Sequence, residues 1–163
     1  MKRYEPRPLL LWLFLFLCIA CGHLFSSGKV RLVAEQMPLT FEFRGRGNLW
    51  FIYVDGPFST GEGGALAPQA GYDSQNPLWR IHGPEYRPIP LNDLPSIAYG
   101  RLPPGWEQVI PKTGTPPPLI DGAVYYIAAT TSEGRSIHMC VLIRDGKPQV
   151  HHGKYKDMDC DKE

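Results

Sequence analysis

The residues with reactive side chains fall into three groups. His138, His151 and His152, with Asp157, Asp159 and Cys160 close to them, are of the types that ligate a transition metal. Adjacent side chains of an extended segment point in opposite directions, so His151 and His152 are poorly placed to reach one tetrahedral ion. The segment reads instead as a solvated polar tail, with no metal and no cofactor. Asp55, Asp73 and Asp93 stand among Gly, Ser and Pro in stretches read as loops. Two such carboxylates converging in a cleft would support a hydrolase or glycan-processing activity. Nucleophilic catalysis needs a Ser or Cys held against a base and an orienting carboxylate, and the chain contains no nucleophile elbow, HExxH motif or phosphate-cradling loop. Gly61-Glu62-Gly63-Gly64 is too short and too acidic to hold a dinucleotide. No catalytic residue is assigned, and the expected role is non-enzymatic.

The third group is the four cysteines. Cys18 and Cys21 close the apolar run LLLWLFLFLCIAC, which follows Met1-Lys2-Arg3 as an apolar core follows a charged start in a targeting segment. Leu9 to Cys21 is shorter than the roughly 20 apolar residues a spanning helix needs. Ala20-Cys21-Gly22 resembles the lipobox of bacterial lipoproteins, in which a small residue precedes a cysteine that receives diacylglycerol; Cys18 stands where that pattern has Leu. Three outcomes stay open: lipidation at Cys21, ordinary cleavage after the small-x-small triplet Cys18-Ile19-Ala20, or a retained anchor. Each delivers the rest of the chain to the cell envelope, with the membrane as its first partner. Cys140 and Cys160 then remain as an even pair in a compartment where disulfides persist. A bridge would close a loop of roughly 20 residues and contribute about 3 kcal/mol; the alternative is a buried Cys140 and a free thiol at Cys160.

Charge and composition narrow the partners and the fold. The net charge of +1 rests on 17 basic and 16 acidic side chains scattered along 163 residues, so no basic block is available to neutralise a nucleic-acid backbone. Seventeen Gly and 17 Pro fall between short apolar runs, which suits many short strands joined by turns.

These groups must be positioned by strands. Residues 1–25 are read as signal peptide or membrane anchor, 26–29 as a tether, 30–150 as one β-domain and 151–163 as a polar tail. Leu39–Arg44 alternates apolar and polar side chains, as a half-buried antiparallel strand does. Gly45–Asn48 marks a turn before the aromatic and β-branched run Leu49–Val54, so the two runs are read as a hairpin. Asp55–Pro77 is read as a long exposed connection. Leu78–Ile81 resumes the alternation, and Ile89–Pro95 is read as a turn or polyproline segment. Ser96–Gly100, a strand near Trp106, Ala123–Thr130, Ile137–Ile143 and an edge strand at Pro148–Val150 complete six to eight strands. The expected class is all-β: an antiparallel β-sandwich, immunoglobulin-like or related, behind an N-terminal hydrophobic signal or anchor helix. A closed barrel is the alternative.

Trp50, Trp79 and Trp106 are expected in the core, whereas Tyr72, Tyr86 and Tyr155 are placed in loops or tails where a ring meets a partner. The stretch Ser96–Gly146 resembles the C-terminal half of small uncharacterised bacterial envelope proteins, many with lipoprotein signals. The resemblance rests on Tyr99-Gly100, Pro104-Gly105-Trp106, Pro111, Pro116 to Leu119, and Gly122 with Tyr125. It implies an exported β-sandwich and supplies no catalytic residue. The sequence thus leads to an exported, membrane-associated domain that binds another envelope component or acts structurally. A metal or small-ligand carrier is a further alternative.

Overall fold

A computed structural model describes residues 28–33, 35–61, 65–69, 77–84, 87–132, 136–155 and 158–160. The N-terminal segment with Cys21 lies outside these residues, as do Asp73 and Asp157. Strands, all paired antiparallel, build the described chain: β1 (Gly28–Leu32), β2 (Thr40–Gly45), β3 (Asn48–Thr60), β4 (Leu66–Pro68), β5 (Trp79–His82), β6 (Ile89–Pro90), β7 (Ile97–Ala98), β8 (Glu107–Ile110), β9 (Val124–Thr131), β10 (Ser136–Arg144), β11 (Lys147–Val150), β12 (Lys154–Tyr155) and β13 (Met158–Asp159). A 3-10 turn, Leu91–Asp93, follows β6. None of the described helices is long and apolar enough to cross a membrane.

The strands form a three-stranded sheet in the order β1-β2-β7 and a larger sheet in the order β11-β10-β9-β3-β5-β8, with β4 and β6 added to β3; β12 and β13 make a separate ribbon. Alternation decides which side chains meet. Leu39, Phe41 and Phe43 point from the small sheet into one cluster with Ile52 and Val54 of β3, Tyr125, Ile127 and Ala129 of β9, and Met139 and Val141 of β10. Trp79, fully buried, joins it from β5; burying a large apolar side chain of this kind contributes about 1.5–3 kcal/mol. The central strand β9 is buried on both faces. Its even-numbered residues Val124, Tyr126 and Ala128 join Phe58, Cys140 and Cys160 in a second, smaller cluster.

Several expectations are corrected. The runs read as a hairpin, β2 and β3, belong to different sheets. Gly45 and Gly47, at φ 115° and 119°, let the chain cross from one sheet to the other in two residues. The connection expected from Asp55 is strand as far as Thr60, with an irregularity in the pairing to β9 between Asp55 and Phe58, where Gly56 has φ 131°. Gly28 and Lys29, read as tether, pair with Gly45 and Arg44. Ile89-Pro90, read as turn or polyproline, pairs with the start of β3 through an edge position that tolerates proline. The C-terminal segment is not merely a polar tail, since β12 and β13 lie in it and Cys160 is buried.

Candidate functional site

The molecule has two ends, and the elements at each differ in chemistry. At the end away from Gly28, Val33 donates its N–H to the Thr40 carbonyl and Tyr99 donates its own to Leu39, which brings the segment before β2 beside the residues after β7. Here an open groove of about 330 Å³ is bounded by Met37, Tyr99, Arg101 and the run Pro116–Leu119.

Tyr99 organises it. Its ring stands edge-on to Trp79 at 5.5 Å, and its hydroxyl donates to the Pro117 carbonyl at 2.8 Å. Burial, reinforced by the neighbouring Tyr125, pushes the Tyr99 hydroxyl above the usual phenol range, so it remains a protonated donor. The Trp79 indole N–H donates to Gln108 Oε1 at 3.1 Å, and Gln108 Nε2 donates to the carbonyls of Pro111 and Gly114 at 2.8 and 2.9 Å. One glutamine thereby ties the core tryptophan to the loop that leads into the prolines. On the far side, the Ile120 N–H donates to the Tyr125 hydroxyl at 2.7 Å. Three successive prolines have fixed φ and no N–H to donate, so Pro116–Pro118 cannot join a ladder and presents apolar rings and acceptors. Met37, Leu102 and Ile120 are 44%, 46% and 53% exposed at this end.

The groove suits binding better than bond making. Its titratable lining groups are Tyr99, committed to Pro117, and Arg101. It offers an apolar trough, a bound phenol and one guanidinium, the inventory of a site for an extended apolar segment with an acidic group.

The residues singled out from the sequence lie elsewhere. Asp55 is buried within β3, where its Oδ1 accepts the Gly56 N–H, and Asp93 is exposed in the 3-10 turn. That turn is fixed at the opposite end of β3 by the Leu91 N–H to the Gly47 carbonyl and by Asn92 Oδ1 accepting the Gly45 N–H. The strand from Asn48 to Asp55 spans roughly 23 Å, against the roughly 5–10 Å of a glycosidase pair. These two carboxylates do not share a cleft. Cys140 and Cys160 are joined by a disulfide, which withdraws Cys160 from any metal-ligand set. Among the described residues no group of three His, Cys, Asp or Glu side chains is placed to hold a metal ion. His151 is half-buried and His152 exposed; burial and the neighbouring His152 hold His151 below the usual imidazole range.

The aromatics divide differently from expectation. Trp79 and Trp106 are buried, but Trp50 is 42% exposed. It is the extra residue where the pairing of β3 with β9 slips between Leu49 and Phe51, so the bulge turns a strand tryptophan outward. On the outer face of the large sheet the rings of His82, Phe51, Tyr53, Tyr126 and His138 follow one another across β5, β3, β9 and β10 at 5.4 to 6.2 Å, with the Arg80 guanidinium 4.3 Å from the centre of Phe51. Burial, followed by the nearby Arg80, holds His82 below the usual imidazole range. Sequence reasoning missed Met37, Arg101 and the groove itself; the available signal was the proline run placed where Tyr99 could reach it. The chain matches no protein-family model, no curated protein and no solved structure.

Proposed function

We propose that this chain is an exported, membrane-associated domain of the cell envelope, an antiparallel β-sandwich of immunoglobulin-like or related arrangement. It is non-catalytic and binds another envelope component at the groove around Tyr99. The observation that carries the reading is the Cys140–Cys160 disulfide. Such bridges form and persist in oxidising compartments and are rare in the cytosol, and this one agrees with the charged-then-apolar start of the chain. The two sheets enclosing one core support the sandwich. Tyr99-Gly100 and Pro116 to Leu119, which carry much of the resemblance to bacterial envelope proteins, also bound the groove.

The test is to express the full chain in a bacterium, fractionate the cells and measure intact mass after alkylating free thiols, for wild type and Cys21→Ala. A membrane-fraction protein with Cys140 and Cys160 protected from alkylation is expected. A diacylated N-terminus lost in the variant would identify the lipoprotein route, and an unprocessed mass the retained anchor. A cytoplasmic chain with both thiols alkylated would overturn the proposal. In-cell crosslinking of wild type against Tyr99→Ala then reads the binding role, because a genuine partner is lost with the groove.

A further inference from the structure

The large apolar side chains left exposed among the described residues gather at the groove. Val33, Met37, Leu102 and Ile120 stand at that end, whereas Trp50 is near the start of β3 and Val150 closes the edge strand β11. An exposed apolar patch with a polar rim marks a surface that another molecule covers. Met37 and Arg101, which line the groove together, are of the types enriched in protein–protein interfaces.

The charges around the patch identify its occupant. Arg101 lines the groove, Lys112 lies in the loop that Gln108 holds, and Arg144 and Lys147 flank the turn tied to Asp121 by the Gly146 N–H. Glu35, Asp121 and Asp145 are the described carboxylates of the same end. Cations and carboxylates are thus mixed and nearly balanced. A strongly acidic or strongly basic partner would set many of these charges against their like, whereas a copy of the same rim offers each sign the other. Arg101 and Glu35 are both exposed, and among the described residues neither makes an ion pair. Glu35 is two residues before Met37, at most about 7 Å along the chain, and Gln36 and Pro38 are exposed with them. This short segment carries an apolar side chain and an acid, the complement of an apolar trough with one guanidinium. It cannot fill its own groove, because Met37 already forms one wall. In a two-fold pair, residue i of one copy meets j of the other and j meets i, so each segment can serve the other copy's groove, with the flexible Met37 thioether adapting to it.

We infer that the groove end is a two-fold interface between copies of this chain, in which Met37 of each copy packs into the Tyr99 groove of the other and Glu35 pairs with Arg101 across the axis. The inference rests on the proposed reading of the groove as a binding site and names its occupant, a second copy.

Full-length chains with two different C-terminal tags are co-expressed, extracted in detergent and captured through one tag, and light scattering gives the copies per particle. Wild type, Glu35→Arg and Arg101→Glu are each paired with themselves, and Glu35→Arg is also paired with Arg101→Glu. Two-copy particles are expected for wild type. Either variant paired with itself should associate about tenfold more weakly, the more so at low salt. The mixed pair should recover, because both contacts across the axis then join opposite charges. Association that ignores the reversals, as for copies joined through the apolar N-terminal stretch, overturns the inference, and so does loss in the single variants without recovery in the mixed pair. One-copy particles of wild type overturn it as well. In that case a crosslinked partner of another kind that is lost in Tyr99→Ala leaves the groove standing as a binding site, and the absence of any such partner removes that reading too. Because the altered charges are exposed, the intact disulfide and an unchanged strand spectrum certify the fold of each variant.

Discussion

At the scale of single residues, the electrostatics give directions that can be measured. Glu42 accepts from Arg31 and, at 2.8 Å, from Arg44. The Arg31 hydrogen bond outweighs the opposing effect of burial, and with Arg44 it holds the carboxyl below its ordinary 4.5. A depressed carboxylate contributes stability that is complete above its unfolded value and is lost as pH falls through the folded one. Glu42→Gln should therefore flatten the part of the stability–pH curve below about 4.5, read by denaturant titration. An unchanged acid limb would show that the arginines do not act through this residue. His82 has the same sign for a different reason, since burial and Arg80 resist its protonation. Its contribution is present above about 6.5 and fades as the pH drops below that. His82→Phe, which preserves a ring beside Phe51, should remove this slope below about pH 6.5 while leaving stability near neutrality little changed. At the groove, Tyr99→Phe keeps the contact with Trp79 but loses the bond to Pro117, at a cost of about 1 kcal/mol. Faster amide exchange at Leu119 and Ile120 would locate that loss. Little of this was legible in the sequence. Arg31 and Glu42 are eleven residues apart and Tyr99 and Pro117 eighteen, and each pair depends on a register that the residues alone do not print.

Elements were legible where alternation was strong and illegible where glycine let the chain do something unusual. The central strands β9 and β10 were readable from their apolar runs, and the edge strand β11 from its position after Asp145-Gly146. The link between β2 and β3 was not, because a two-residue turn rich in glycine serves a hairpin and a sheet-to-sheet crossover equally well. β3 also ran past its expected end, because Asp55-Gly56-Pro57 has the composition of a loop but occupies a bulge. Its tightest point is Gly56, where an added Cβ would lie 2.9 Å from Tyr125 Cδ1 and 3.0 Å from the Val124 carbonyl at a positive φ. Gly56→Ala should cost about 2 kcal/mol, measured as a lower denaturation midpoint with unchanged m. Replacing both Cys140 and Cys160 by Ser should cost about 3 kcal/mol. The effect should vanish when wild type is compared under reducing conditions.

Across the whole molecule, the sequence pointed to a strand-built domain and left the pairing of Cys140 with Cys160 open; the structure closes that pair and adds polarity. The start of β1 and the exposed Trp50 share one end, whereas the apolar groove and the proline run share the other. The outer edges are guarded as well. β1 carries Lys29 and Arg31, and β11 carries Pro148, so neither invites another strand.

The bridge between Cys140 and Cys160 has one more consequence, for what a protease can do. Residues 140 to 160 form a closed covalent ring that contains β11, β12 and β13, with Arg144, Lys154 and Lys156 as the basic residues not followed by proline. A trypsin cut after Arg144, Lys154 or Lys156 opens the ring without detaching anything. The nicked protein should migrate as one species until reductant separates the pieces, so the C-terminal cap of the second core cluster survives a lesion that would otherwise strip it away.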